Sequence, residues 1–447
     1  MNLRLAALGV VSAAIGLVAI ADHENGLADA SRPYRAYLAA AARDGEHVPP
    51  TPSASPGQLP RLPAGWPNTL ELGQADSPGG AAESGSRGFG FRYQYLAGGA
   101  NTGNGWANWN PNGSFVTSYI SESVQADVIP VFSYYMVRHS NPGATMEEPV
   151  GVRTNLANAA TMRAIFDDLQ LFFSRARESG APRVILHFEP DLWGYIQQRS
   201  QDDDGSNFEA AVASSGHPLL GGLANNASGL AGAVIALRDA YGPNVLVAFH
   251  LSLWGTGTDP LYADPEDKEI EQLAGRSARF YHSLGADFDL AFAEMSDRDA
   301  AFKQYIYGDG GASWWDEGDF ARNAAYLREF VRSSGLRVVL WQLPQGNTRM
   351  RSMNNTWNHF QDNKVEWLLG DATFSRLQVY RDAGVIGLLF GRGADGATCA
   401  CDAAGDGVTN PPPINGNTRE ATSADDDGGY FRERAGVYTG GDTLPLP

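Results

Sequence analysis

Seven short apolar runs, separated by segments of helical spacing, restrict this 447-residue chain more than any other feature. They are "FGFRYQYLAGG", "ADVIPVFSYYMV", "RVILHFEPD", "NVLVAFHLSLWG", "FDLAFAEMSD", "RVVLWQLPQG" and "GVIGLLFGRG". Each holds the apolar stretch expected of a strand covered on both faces. The segments between them include "NASGLAGAVIALRDAYG" and "FARNAAYLREFVRSSG", which repeat apolar residues at helical spacing and end at a glycine. Strand-helix units in unbroken succession require a parallel sheet.

A parallel sheet of this kind either opens into a doubly wound fold or closes into a barrel. The open form usually carries a phosphate-binding glycine turn after its first strand. Here that turn is "AGGANTGNGWANWNPNG", whose glycines do not fit GxGxxG and whose two tryptophans stand where a phosphate would approach the backbone. The pattern therefore predicts an α/β fold, a (β/α)8-type TIM barrel over residues 88–395. The eighth strand is expected around Tyr430 to Tyr438, unless the barrel is distorted or closes with seven.

The flanks read differently. Residues 1–21 place one arginine before the apolar stretch Leu5 to Ile20 and close on Ala19-Ile20-Ala21, which is the pattern of a secretory signal peptide and implies an extracellular or periplasmic protein. An uncleaved anchor is the competing reading, but the stretch is shorter than the roughly 20 residues a bilayer span needs. No other segment is long and apolar enough to span. Residues 22–87 are rich in proline, serine and glycine and read as a tether, with Trp66 outside the fold. Residues 396–447 read as a long loop and a C-terminal extension. It contains both cysteines, Cys399 and Cys401, too few for a disulfide framework and read as a local loop staple. A formal charge of -18, from 51 acidic and 33 basic residues, argues against nucleic acid or an anionic membrane as partner.

Barrel enzymes build their sites at the C-terminal ends of the strands. Those ends carry Arg92 and Gln94; Ser133 and Tyr135; His187, Glu189 and Asp191; His250, Ser252 and Trp254; Glu294, Asp297 and Asp299; Trp341, Gln342 and Gln345; and Arg392. Glu189 follows an apolar strand and is fixed by Pro190, and Glu294 sits similarly in "LAFAEMSD". Two such carboxylates on one rim suit acid/base or acid/nucleophile chemistry. If Glu294 faces away, its role passes to one of the neighbouring aspartates. Trp106, Trp109, Trp193, Trp254 and Trp341 fall at or after strand ends beside amides such as Asn347. This arrangement matches the apolar faces and outward hydroxyls of a carbohydrate.

With the secretion pattern and the barrel order, "FEPDLWGY" resembles the superfamily of (β/α)-barrel glycoside hydrolases, whose acid/base glutamate often stands in a Glu-Pro dipeptide after a strand. The Glu-Pro-Asp triplet is also similar to one in family-six cellulases. The resemblance implies Glu189 as general acid/base, with no cofactor. It departs from the family where Phe188 replaces the common asparagine and where the run "GVIGLLFGRG" lacks a glutamate, so Glu294 is taken as the second carboxylate. His187, Asp191, His250, Asp297, Arg92, Tyr135 and Gln342 are expected to support the pair.

Three other readings compete. His187, Glu189 and His250 form a possible ligand set for a metal-dependent barrel hydrolase. The acidic loop Asp202 to Glu209 offers oxygens to calcium, though a solvated turn suits its spacing better. A non-catalytic polysaccharide-binding protein on the same scaffold is the non-enzymatic alternative. A serine nucleophile elbow is absent.

Overall fold

Eight parallel strands close into a barrel in the computed structural model, which describes residues 59–263, 265–296, 298–351, 361–391, 419–420, 422, 428–441 and 443–447. In chain order they are β1 (Glu71–Ala75), β2 (Phe91–Leu96), β3 (Ile129–Tyr134), β4 (Val184–Phe188), β5 (Val245–Leu251), β6 (Leu290–Glu294), β7 (Val338–Pro344) and β8 (Val385–Gly391), with β8 returning to pair with β1. The signal-like leader, Asp297, Arg392 and both cysteines lie outside the described residues. Among the described residues, no helix is long and apolar enough to cross a membrane.

Strands β2 to β8 are the seven apolar runs, and the strand that completes the barrel lies in the segment read as a tether. β1 has the sequence "ELGQA", too short and too polar to signal a buried strand. Its Gly73 pairs with Phe91 and Leu389, and a Cβ there would come within 2.5 Å of the Phe91 carbonyl oxygen. The close approach that closes the barrel thus needs a residue without a side chain. Residues Tyr430–Thr439, where the eighth strand was expected, form a helix. Its Phe431 packs on Phe390 at 4.3 Å and Phe89 at 6.0 Å, and the Tyr438 hydroxyl donates to the Leu70 carbonyl.

Alternate residues along each strand face two separate cores. Phe132, Leu186, Val247, Ala291, Leu340 and Leu388 pack against the surrounding helices, whereas Phe91, Tyr93, Val131, Ile185, Ala248, Leu290, Phe292 and Val339 fill the barrel. Trp66 and Leu446 plug the N-terminal floor of that interior. The Trp66 indole donates to the Ile386 carbonyl, and Arg337 donates to the carbonyls of Pro60 and Pro447, tying both chain flanks beneath the barrel.

Trp66→Ala should cost about 3–5 kcal/mol of stability, the usual range for a buried tryptophan, because Trp66 is only 5% exposed against Phe91. Urea unfolding measures it; an unchanged midpoint would mean that residues near 66 are a tether after all.

Candidate active site

Strands β4, β5 and β6 change from apolar to polar at their C-terminal ends without changing face, and β7 brings a large aromatic to the same level. Ile185 gives way to His187 on β4, Ala248 to His250 on β5, Leu290 and Phe292 to Glu294 on β6, and Val339 to Trp341 on β7. The apolar residues fill the floor, and the polar ones therefore arrive at the barrel mouth. β7 adds a second group through a bulge: Leu340 pairs with Leu388 but Leu343 with Phe390, so one extra residue is inserted. Gln342, at φ 52°, absorbs it and donates its amide to the Tyr95 hydroxyl.

Tyr93, Tyr95 and Trp341 form the aromatic wall of this mouth, with Trp341 6.2 Å from Tyr93 and 5.8 Å from Tyr95. The Tyr95 phenol is pushed well above its ordinary pKa, first by burial and then by the negative potential of Tyr93, Glu294 and Asp191, with Arg298 opposing. Two carboxylates, from the ends of β4 and β6, thus act on one phenol. Asp191 has φ 67° at the start of the helix Leu192–Gln197, and its side chain is 30% exposed. Behind it the two imidazoles stack at 5.0 Å, with His187 Nε2 2.8 Å from His250 Nδ1. Burial holds both below the ordinary histidine pKa, that of His250 near 3, so both are neutral.

Glu189 points elsewhere. It takes φ 50°, is 1% exposed, and its Oε1 accepts from the backbone N–H groups of Met136 and Val137 at 2.9 and 2.8 Å. Burial raises its pKa to about 8 against the lowering effect of those two amides. These contacts tie Glu189 to the loop after β3.

Several other residues expected at the rim serve the framework instead. Arg92 lies on the outer face of β2, fully buried, with Nε 3.0 Å from Asp76 Oδ2 and its guanidinium 3.8 Å over Tyr119. Trp106 is buried and donates to Asp168, which also accepts from Tyr134 and has its pKa raised by burial to about 6. Trp193 packs among Phe188, Phe249 and Phe288 outside the barrel. Buried Asn347 accepts from the Arg349 and Met350 amides, shaping the loop after β7. Trp109 packs edge-on against Phe115.

Nearer the mouth, half-buried Tyr135 donates to Glu148, and half-buried Trp254 packs on Tyr195 at 4.9 Å. Gly194 permits that pairing, since a Cβ there would sit 2.7 Å from the Trp254 ring. In the acidic loop, buried Asp203 pairs with Arg276 at 2.9 Å. Among the described residues no group of three or more His, Cys, Asp or Glu side chains is arranged to hold a metal ion. On the strand that carries Arg92 and Gln94, it is Tyr93 and Tyr95 that reach the mouth, and the aromatic alternation Phe91, Tyr93, Tyr95 is the sequence signal of the inner face.

No protein-family model and no curated protein matches the chain. Solved structures share the barrel at very low identity. A GH5-4 broad specificity endoglucanase from Clostridium acetobutylicum is 9% identical over 76% of this chain and 93% of its own, with a TM-score of 0.40. Morphinone reductase is 13% identical over 76% and 87%, with a TM-score of 0.37. A Podospora anserina GH26-CBM35 beta-(1,4)-mannanase is 9% identical over 89% and 70%, at 0.38. Their names span an endoglucanase, a mannanase and a reductase, and fold alone does not choose among such activities.

The anchoring role of Glu189 has a pH signature. A carboxyl raised from 4.5 to about 8 keeps its proton in the folded state across that interval while the unfolded chain has released it. Stability should therefore fall as pH rises through the interval, by up to about 1.4 kcal/mol per pH unit. Glu189→Gln keeps an acceptor for the two amides and should flatten that slope in urea unfolding at several pH values; an unaltered slope would show that Glu189 is ionised when folded.

Proposed function

We propose that this protein hydrolyses glycosidic bonds of a poly- or oligosaccharide, with Asp191 and Glu294 as its two carboxylates. The observation that carries this reading is their convergence on one barrel mouth: Glu294 ends β6 opposite Trp341 of β7, and Asp191 opens the helix after β4 with Oδ1 3.9 Å from His250 Nε2. Glycoside hydrolysis needs one carboxyl group to protonate the leaving oxygen, and a second to attack the anomeric carbon or to activate water. Aromatic faces and an amide supply the remaining recognition: Tyr93, Tyr95 and Trp341 line the wall, Gln342 holds Tyr95, and the Trp254–Tyr195 pair offers a second platform. The leader pattern in residues 1–21 fits action outside the cytoplasm on a polymeric substrate.

The protein incubated with a panel of soluble polysaccharides should release reducing ends. Asp191→Asn and Glu294→Gln should each lower the rate by about a hundredfold to ten-thousandfold while unfolding like the parent. Glu189→Gln should lose far less. A loss confined to Glu189→Gln would return the acid role to that residue, and saturable binding without reducing ends would make the protein a carbohydrate binder. Trp254→Ala should weaken oligosaccharide affinity in titration; unchanged affinity would leave that ring a loop-packing contact.

A further inference from the structure

A chain of three buried side chains runs through the barrel interior toward Asp191, and the reaction described above leaves it without a task. Ser133 Oγ lies 3.1 Å from His187 Nδ1, and His187 Nε2 lies 2.8 Å from His250 Nδ1. All three residues are fully buried. The last nitrogen, His250 Nε2, has no hydrogen-bond partner and stands 3.9 Å from Asp191 Oδ1.

The direction of the chain follows from counting protons. A neutral imidazole carries one donor and one acceptor nitrogen, so the two rings must orient together. His187 is stacked on Phe292 at 4.5 Å and meets the Trp341 ring at 4.6 Å, surroundings that favour the uncharged ring. Among the described residues the Ser133 hydroxyl has no acceptor other than His187 Nδ1. If the chain ran toward Ser133, that hydroxyl proton would be buried unmatched, and His250 would turn a lone pair toward a carboxylate. If it runs away from Ser133, each proton is matched in turn, and the chain ends with His250 Nε2–H presented to Asp191. Asp191 otherwise stands among the phenols of Tyr95, Tyr135 and Tyr195, all of which are raised further by its charge.

We propose that Ser133, His187 and His250 form a one-way hydrogen-bond relay that holds Asp191 ionised, so that Asp191 is the nucleophile or base and Glu294 carries the transferable proton. The assignment of roles rests on the glycoside-hydrolysis reading; the direction of the relay does not. In the reaction the Glu294 proton passes to the leaving glycosidic oxygen, which departs with the electron pair of the broken C–O bond. The new pair comes either from Asp191, whose bond to the anomeric carbon is then broken by a water that gives its proton to Glu294, or from a water oxygen that bonds to that carbon as Asp191 takes its proton. The imidazoles remain neutral, and no proton leaves the relay. His250, His187 and Ser133 are positioning residues.

Ring-nitrogen NMR of the full chain labelled with 15N-histidine tests the direction, with His187→Gln and His250→Gln spectra giving the assignments. Both rings should be neutral and protonated on Nε2 from about pH 6 to 8, where an ordinary histidine titrates. Ser133→Ala should release the constraint and populate the Nδ1–H form of His187. A His250 proton on Nδ1, or a charged ring in that range, would overturn the relay. On a polysaccharide found to be cleaved, His250→Phe should lower kcat by about tenfold or more with KM held. His250→Gln, which keeps an N–H donor, should recover part of it; equal losses in the two variants would also overturn the relay. The expected tautomers in a protein that cleaves nothing would sink the hydrolase reading alone, whereas hydrolysis with the proton on Nδ1 would sink the relay alone.

Discussion

Hydrogen bonding between β8 and β1 is the constraint on which the rest of the structure depends. A parallel sheet of seven strands would leave two unpaired edges and an interior open to water, and every inward side chain would lose its fixed direction. The closing strand is only five residues long, and it fits because Gly73 lets β1 lie directly against Phe91 and Leu389. Trp66 and Leu446 then seal the floor, so the interior is accessible only where the strands end. Closure thus turns a list of strand ends into a single site.

Within the closed barrel, polarity is graded along the strands. The floor and middle are apolar, and polar groups arrive at His187 and His250, each one residue before its strand ends, and at Glu294, the last residue of β6. Burying two imidazoles is tolerable because each is neutral and the short His187–His250 contact serves both. Among the described residues, Arg92 pairs with Asp76 on the outer face of β2, buried Arg337 bonds the chain flanks beneath the barrel, and Lys364 lies 3.3 Å from Asp362 in the segment after β7. The field at the mouth is therefore set by what the strand ends carry.

Seven strands could be read from sequence because burial on both faces writes itself as an apolar run. β1 could not, since a strand that closes a barrel by a glycine contact needs space more than hydrophobicity. The rim was legible as a set of positions but not as a set of roles. Glu189 and Asp191 both sit in "FEPD", and alternation gives them the same face, yet both take positive φ, at 50° and 67°. Strand parity ends at Phe188, and the turn directs Glu189 to the loop amides while Asp191 stays at the mouth. Trp106 looked like a rim aromatic because its partner, Asp168, lies 62 residues away on a helix. The bulge that swings Gln342 inward left no mark in "VVLWQLP".

The charge at the mouth limits what can bind there. Asp191 and Glu294 reach Tyr95, and Asp191 and Glu148 reach Tyr195, while Arg298, Arg138 and Arg199 oppose them. The neutral imidazoles add no compensating charge, and the chain as a whole carries -18. In the proposed reading a phosphorylated or carboxylated substrate would enter against this potential, which Arg298 opposes only in part at Tyr95. A neutral polyhydroxylated molecule would meet no such barrier. Its apolar faces suit Tyr93, Tyr95 and Trp341, and its hydroxyl groups can donate to carboxylates that need not be neutralised first. In the proposed reading, the field that disfavours anionic substrates is thus the same field that suits the action of Asp191 and Glu294 on neutral sugars.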